Sequence, residues 1–410
     1  MQFPPVIVCI NHGPATWYTN AAFAAHPSLS EGIELYDLLI RGGTVIDAAQ
    51  GLNDVRDVAI ADGKVAAIEN NIEAESHEEV DAAGLIVTPG LIDMHMHAYW
   101  GVCCYGLDPD SINIARGVTT AMDCGSAGAR TFPHFRRTVM ERSDTRLYAL
   151  LNISAMGIIS PTIGELFDMR WARVDDAGEM GRQNGDLILG IKVRLSHHTI
   201  FMDDKLDALK RAIAAAEMFD GIVMVHVGDI ETPLETLTRH LRPGDVVTHA
   251  FRQWGGVVSA ERTVTDEIRE AQKNGIVFDV GHGGGSCSFD TIETALAQGF
   301  YPDTISSDVS TLSVEGPVYD QVTTMSKFLH FGIPIEDVVR LSTLAPAEKM
   351  GIAEDLGSLA IGTTADVSIL SVDDGDYTYM DAERKTTSAS RKINSIETVK
   401  DGKRYRDWNR

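Results

Sequence analysis

LILGIKVRLS (187–196), DDKLDALKRAIAAAEMF (203–219) and IVMVHVG (222–228) follow one another in this 410-residue chain. They read as strand, amphipathic helix and strand, and strands joined by a helical crossover lie parallel. The same alternation extends outward in both directions. Upstream stand LIDMHMH (91–97), TTAMDCG (119–125) and LYALLNIS (147–154). Downstream stand VVTHAF (246–251), IVFDVGH (276–282) and DTISSDV (303–309), with TDEIREAQKN (265–274) as a further amphipathic stretch. Eight strand candidates interleaved with helices predict an α/β fold, a closed (β/α)8 TIM barrel. An open doubly wound sheet competes with it, but no GxGxxG follows the first strand.

Both flanks have another texture. Residues 36–69 alternate short β-branched runs with Arg41-Gly42-Gly43 and Ala61-Asp62-Gly63, which read as hairpin turns. GTTADVSILSVD (362–373) and KINSIETVKDGKRYR (392–406), with Asp401-Gly402 as a turn, repeat it near the C-terminus. The expected organisation is an N-terminal extension (1–34), a barrel (89–352) and a small composite β-sandwich domain from both chain ends (35–88 and 353–410).

Composition narrows the function. Thirty-five Lys+Arg against fifty-nine Asp+Glu leave a formal charge of −24. So acidic a chain repels nucleic acid and anionic membrane surfaces, and its partner is expected to be a small molecule. No run of about 18 apolar residues is present to span a membrane, and residues 1–28 lack the pattern of a secretory signal. Five cysteines without a CxxC pair make no complete disulfide framework, which points to a reducing, cytoplasmic setting.

The chemistry lies in polar residues at strand ends. Residues i and i+2 of a strand share a face, so Asp93, His95 and His97 are expected to point the same way, at the end where barrel active sites are built. One HxH is a weak signal. It gains weight because Lys192, His226, His249 and Asp308 fall near the corresponding ends of four other strands. A lysine on a barrel strand loses several kcal/mol of hydration unless it neutralises, pairs or changes chemically. Among imidazoles it can take up carbon dioxide, giving a carbamate able to bridge two divalent ions; an ion pair of Lys192 with Asp308 is the plainer alternative.

The motifs PGLIDMHMH, GVTTAMDCGSAG, GIKVRLS, HVGD, LRPGDVVTHAF, FDVGHGGGS, DTISSD and LGSLAIGTTADV, in this order, resemble the amidohydrolase superfamily, nearest its deacetylase and dihydroorotase-like branch. The resemblance runs from about Tyr36 to the C-terminus. It implies that His95, His97 and Asp308 hold the more buried of two divalent metal ions, and that His226 and His249 hold the other. Carboxylated Lys192 and a hydroxide would bridge them. Zinc suits mixed nitrogen and oxygen ligands, although manganese, cobalt or iron fit the same cage. The hydroxide would attack a polarised carbonyl, with Asp308 as general base and then acid. The resemblance also implies a homo-oligomer.

Substrate contacts are less sharply marked. His282 follows strand seven beside glycines, as a substrate contact or as a histidine holding the turn. Arg194 can bind a carboxylate or pair with a nearby acid, and Asn152 can line the pocket or pack. Tyr99 stands where the dihydroorotase pattern has an arginine, which turns the expectation toward an acyclic acyl ester or amide bearing a carboxylate. A cyclic amide hydrolase and a purine deaminase are the alternatives. A non-catalytic barrel scaffold would lack several ligands, whereas all six positions here hold competent residue types.

Overall fold

The computed structural model describes residues 35–200, 205–229 and 232–405. The N-terminal extension 1–34 lies outside the described residues. Among those described, no helix is long and apolar enough to cross a membrane.

Strands β1 (Leu35–Asp47), β2 (Leu52–Ala61), β3 (Lys64–Glu69), β4 (Glu75–Asp81) and β5 (Ile86–Pro89) form part of a first sheet. Asp62-Gly63 is the two-residue turn joining β2 to β3, and both residues have positive φ, 52° and 71°. Arg41-Gly42-Gly43 is not a turn, contrary to the expectation. Strand β1 runs straight through it, and the register against β2 shifts between Ile40 and Gly43. Gly42 takes φ 67° there, so the glycines supply a bulge. The bulge also divides the other edge of β1, which pairs with β4 before it and β5 after it.

Seven parallel strands follow in chain order: β6 (Leu91–Met96), β7 (Val118–Gly128), β8 (Arg146–Asn152), β9 (Ile188–Leu195), β10 (Ile222–Val227), β11 (Val246–Thr248) and β12 (Val277–Phe278). Alternate residues pack on opposite faces. Ile191, Val193, Val223 and Val225 join a large cluster with Ala208, Leu209 and Ala212 of the helix Lys205–Glu217. Met94, Met122, Leu150, Met224 and Val246 form a separate cluster on the other face. Burial of each such large apolar side chain contributes about 1.5–3 kcal/mol.

The eighth candidate, 303–309, departs from expectation: it forms no regular strand. Single parallel bridges join Thr304 to Asp279 and Val309 to Met96, at the two edges of the curled sheet. Side chains interrupt the ladder. The Asp93 carboxylate accepts from the Ser307 amide at 3.0 Å, and the Ser307 hydroxyl accepts from the Val309 amide at 3.0 Å. Amides captured this way are lost to strand pairing.

Strands β13 (Val367–Met380), β14 (Thr386–Lys400) and β15 (Lys403–Tyr405) return to the first sheet, where β13 pairs antiparallel with β5. The result is one continuous eight-stranded sheet drawn from both flanks, rather than two separately paired sheets of a sandwich. Gly90 is the joint between β5 and β6, and its amide donates to the Asp366 carbonyl at 2.8 Å. A Cβ there would fall 2.2 Å from Thr119 Oγ1 and 2.9 Å from Asp366 Cβ. Gly90→Ala is therefore expected to cost about 1–3 kcal/mol, read as a lower urea midpoint at unchanged slope.

Candidate active site

A cavity of about 370 Å³ opens where the seven strands end, and His95, His97, Lys192, Arg194, His226 and Asp308 all line it. Six residues from four separate regions of the sequence thus meet in one place. His95, His249 and Asp308 each bring a ligand atom within 4.8 Å of the others. Asp308 Oδ1 lies 3.4 Å from both His95 Nε2 and His97 Nε2, and Oδ2 lies 3.9 Å from His249 Nε2. The His226 ring centroid is 4.3 Å from that of His249.

What holds the imidazoles is as informative as what they face. His249 Nδ1 lies 2.6 Å from the Gly281 carbonyl, which can only accept. The proton therefore sits on Nδ1, and the buried Nε2 is left without a hydrogen-bond partner among the described residues. His95 Nδ1 lies 2.8 Å from Thr248 Oγ1, whose own proton goes to Asp279 Oδ2 at 2.8 Å. This again places a proton on Nδ1 and a lone pair on Nε2. His97 Nδ1 meets the Ser126 hydroxyl at 2.8 Å. Three rings are thus gripped by Nδ1 with Nε2 turned toward Asp308, as metal-binding histidines are oriented by their outer partners.

Burial sets the charge state. It pushes His95 and His226 well below the ordinary histidine range, and nearby positive groups push them further. It takes His249 down to about 3. All three are neutral at pH 7 and can donate lone pairs. Burial also lowers the Lys192 ammonium, whose Nζ meets His95 Nε2 at 3.0 Å and Met224 Sδ at 3.2 Å among the described residues. Burial alone would raise Asp308, but its contacts with His97, His249 and Lys192 hold it below the usual carboxylate range.

Two of these residues have left-handed backbones, His249 at φ 66° and Asp308 at φ 47°. Such conformations cost of order 1–3 kcal/mol each and collect at functional sites. The Asp308 amide bonds the His95 carbonyl at 2.6 Å, and Gly283 leaves room beside the carboxylate.

Several expected contacts are elsewhere. Asp93 does not join the cavity; it accepts from the Ser307 and His95 amides, and burial pushes it up to about 7. Tyr99 is buried against Phe135, with its hydroxyl 2.9 Å from His134 Nδ1. Asn152 is spent on the Gly125 carbonyl and the Ser154 amide. His282 is fully buried, with Nδ1 2.9 Å from the Gly283 carbonyl and Nε2 2.7 Å from Lys327 Nζ. It therefore holds the Gly-rich turn and does not line the cavity. Arg194 does line it, and its Nε also lies 3.3 Å from Glu165 Oε1, so both readings of that residue meet in one side chain.

Sequence reasoning left His198, which follows the fourth strand, out of the metal set and missed Tyr105, Ser310, Leu312 and Arg384 on the cavity wall. His198 follows β9 by three positions, Tyr105 follows β6 by nine, and Ser310 and Leu312 follow the irregular segment 303–309, all where periodicity carries no signal. Asp279 behind His95 did leave one, a carboxylate inside the apolar run IVFDV.

The sequence profile of the amidohydrolase family matches residues 86–405. The chain belongs to that family. A deacetylase of Agrobacterium fabrum is 34% identical over 324 residues, covering 78% of this chain and 79% of that protein. The solved structure of an adenine deaminase superposes with a TM-score of 0.84 at 31% identity, covering 91% of this chain and 100% of that one. A dihydroorotase structure does so at 0.82 and 30%, covering 90% and 99%. This amidohydrolase is accordingly a hydrolase acting on C–N bonds.

Proposed function

We propose that the protein is a dinuclear metal-dependent hydrolase that cleaves an acyl ester or amide bond of a small, carboxylate-bearing molecule. Its barrel is read as (β/α)8, closed through Thr304–Val309, with the small sheet domain built from 35–88 and 353–410. The observation that carries this reading is the partnerless, buried Nε2 of His249 beside His95 and Asp308. An orphaned buried acceptor costs about 1–3 kcal/mol, and a bound cation removes that cost.

The donor set fits two divalent ions, with zinc as the expected species. His95, His97 and Asp308 would hold one and His226 and His249 the other, with Lys192 as a shared carbamate. Such ions supply Lewis acidity, lowering the pKa of water and polarising a carbonyl. The chain's own residues do the rest. Asp308, ionised and at the cavity wall, takes a proton at its carboxylate and returns it to the leaving group. Gly281 and the Thr248–Asp279 pair keep His249 and His95 aimed. The cavity volume suits a small polar molecule.

Opening of a cyclic amide is the second reading, supported by the likeness to the dihydroorotase structure. Against it, Tyr99 neither supplies the arginine of that pattern nor reaches the cavity. Protein produced with zinc is expected to hold about two ions per chain, counted by elemental analysis, and chelation should abolish turnover. A hydrolysis screen of N-acyl amino acids, acylated hydroxy acids, hydantoins and purines then chooses among substrates. Absence of metal after zinc supplementation would sink the proposal.

A further inference from the structure

We infer that Arg384, carried on the turn between β13 and β14 of the small sheet, recognises the anionic group of the substrate. The inference rests on the hydrolase reading above and names the side chain that selects its substrate.

Arg384 lines the same cavity as His97, Lys192 and Asp308, although it lies 76 positions beyond Asp308 in the chain (384 − 308). Its neighbours are committed elsewhere. Lys385 Nζ pairs with Asp290 at 2.7 Å, and the charge of Glu383 acts on Arg252. Arg384 itself is exposed, and its guanidinium has no ion pair among the described residues. The other guanidinium on the wall differs: Arg194 is buried against Glu165, with Nη2 3.1 Å from His198 Nε2. Glu165 offsets much of the charge of Arg194. Arg384 is left as the uncompensated positive group at a cavity in a protein of charge −24, where an anion needs a local attraction to enter.

The turn is built to hold this side chain in place. Asp381 Oδ1 accepts from the amides of Glu383 at 2.9 Å and Lys385 at 2.8 Å, while Oδ2 accepts from the Phe289 amide at 3.0 Å. The Ala382 amide donates to the Cys287 carbonyl at 2.9 Å, directly after cavity-lining Ser286. Lys327 Nζ, at 2.9 Å from the Met380 carbonyl and 2.7 Å from His282 Nε2, ties the start of the turn to the Gly-rich segment 283–285. Arg384 has φ 66°, a conformation that glycine or asparagine adopts more readily. A long charged side chain kept in an unfavourable backbone conformation, aimed at the cavity, matches a binding role better than a structural one.

The test compares an O-acylated α-hydroxy acid with its uncharged methyl ester, using zinc-loaded wild type, Arg384→Gln and Arg384→Gly. The preference in kcat/KM for the acid should fall roughly 10- to 100-fold in both variants, the scale of a hydrogen bond to a charged group, mainly through KM. Arg384→Gly should at the same time keep or raise the melting temperature, since it relieves the backbone. Arg384→Lys should recover part of the preference. An unchanged acid-to-ester ratio overturns the inference while the hydrolase reading stands. If neither acyl compound is turned over, the acyl-ester reading of the substrate fails, and calorimetric binding of lactate still decides about Arg384. Weaker lactate binding by Arg384→Gln supports the role; equal or absent binding in wild type and variant refutes it.

Discussion

Asp308→Asn is expected to lower kcat by roughly 10²- to 10⁴-fold, the range that a positioned proton-transfer group contributes. The carboxylate reaches the cavity with its side chain 16% exposed, and Oδ1 is shared between His95 Nε2 and His97 Nε2 at 3.4 Å. Its contacts with His97, His249 and Lys192 keep it ionised against the effect of burial, so it is ready to accept a proton at neutral pH. The amide has nearly the same shape, and asparagine tolerates the left-handed backbone that Asp308 adopts. Folding should therefore survive while the base is lost. Turnover and metal content need to be measured on the same sample. Near-normal kcat with full metal content would reduce Asp308 to a ligand.

Lys192→Ala is expected to bring activity to background and to release at least one metal ion. Lys192 lies on β9, where its backbone neighbours Ile191 and Val193 pack outward into the apolar cluster. Its own side chain is 1% exposed and meets His95 Nε2 rather than an acid. An ammonium there has no counter-charge at bonding distance among the described residues, and burial favours the neutral amine that carbon dioxide requires. Truncation also leaves a cavity worth about 2–5 kcal/mol, so circular dichroism must first establish that the variant folds. Short carboxylic acids in excess should then restore part of the metal content and of the activity, by placing a carboxylate where the carbamate stood. Wild-type protein given carbon-13 bicarbonate should show a carbamate resonance that Lys192→Ala lacks. An unmodified amine at Lys192 with two ions bound would refute the bridge.

The sequence by itself determined the strand–helix alternation and the positions of the chemistry. A buried parallel strand reads as an apolar run, so Lys192 inside GIKVRLS, or His226 and His249 ending theirs, stand out locally. Period two then assigns each to a face without knowledge of anything distant, and the cavity contains Lys192, His226 and Asp308 as that reading expects. The same local logic found the Asp62-Gly63 turn. It misread Arg41-Gly42-Gly43, because glycines with positive φ serve a bulge as well as a turn, and only the partner strand tells which.

Tertiary structure alone decided how the side chains are held and what fills the wall. Whether a strand-end residue faces a cavity depends on bonds to residues far away in sequence. Asp93 is captured by Ser307, His282 by Lys327, and Tyr99 by His134. The same holds for the rings that converge: His95 owes its tautomer to Thr248, 153 positions away. The segment around Asp308 reads as a strand candidate, yet Asp93 takes the amide that pairing would have used, and no local pattern registers that competition. Arg384 is the extreme case. Nothing in Glu383-Arg384-Lys385 distinguishes it from an exposed charged turn, and only the docking of that turn against Cys287 and Phe289 brings one of its charges to the active site. Local patterns encode which face a residue takes, because strand geometry is local; what it meets there is fixed by packing between distant segments, which no local pattern records.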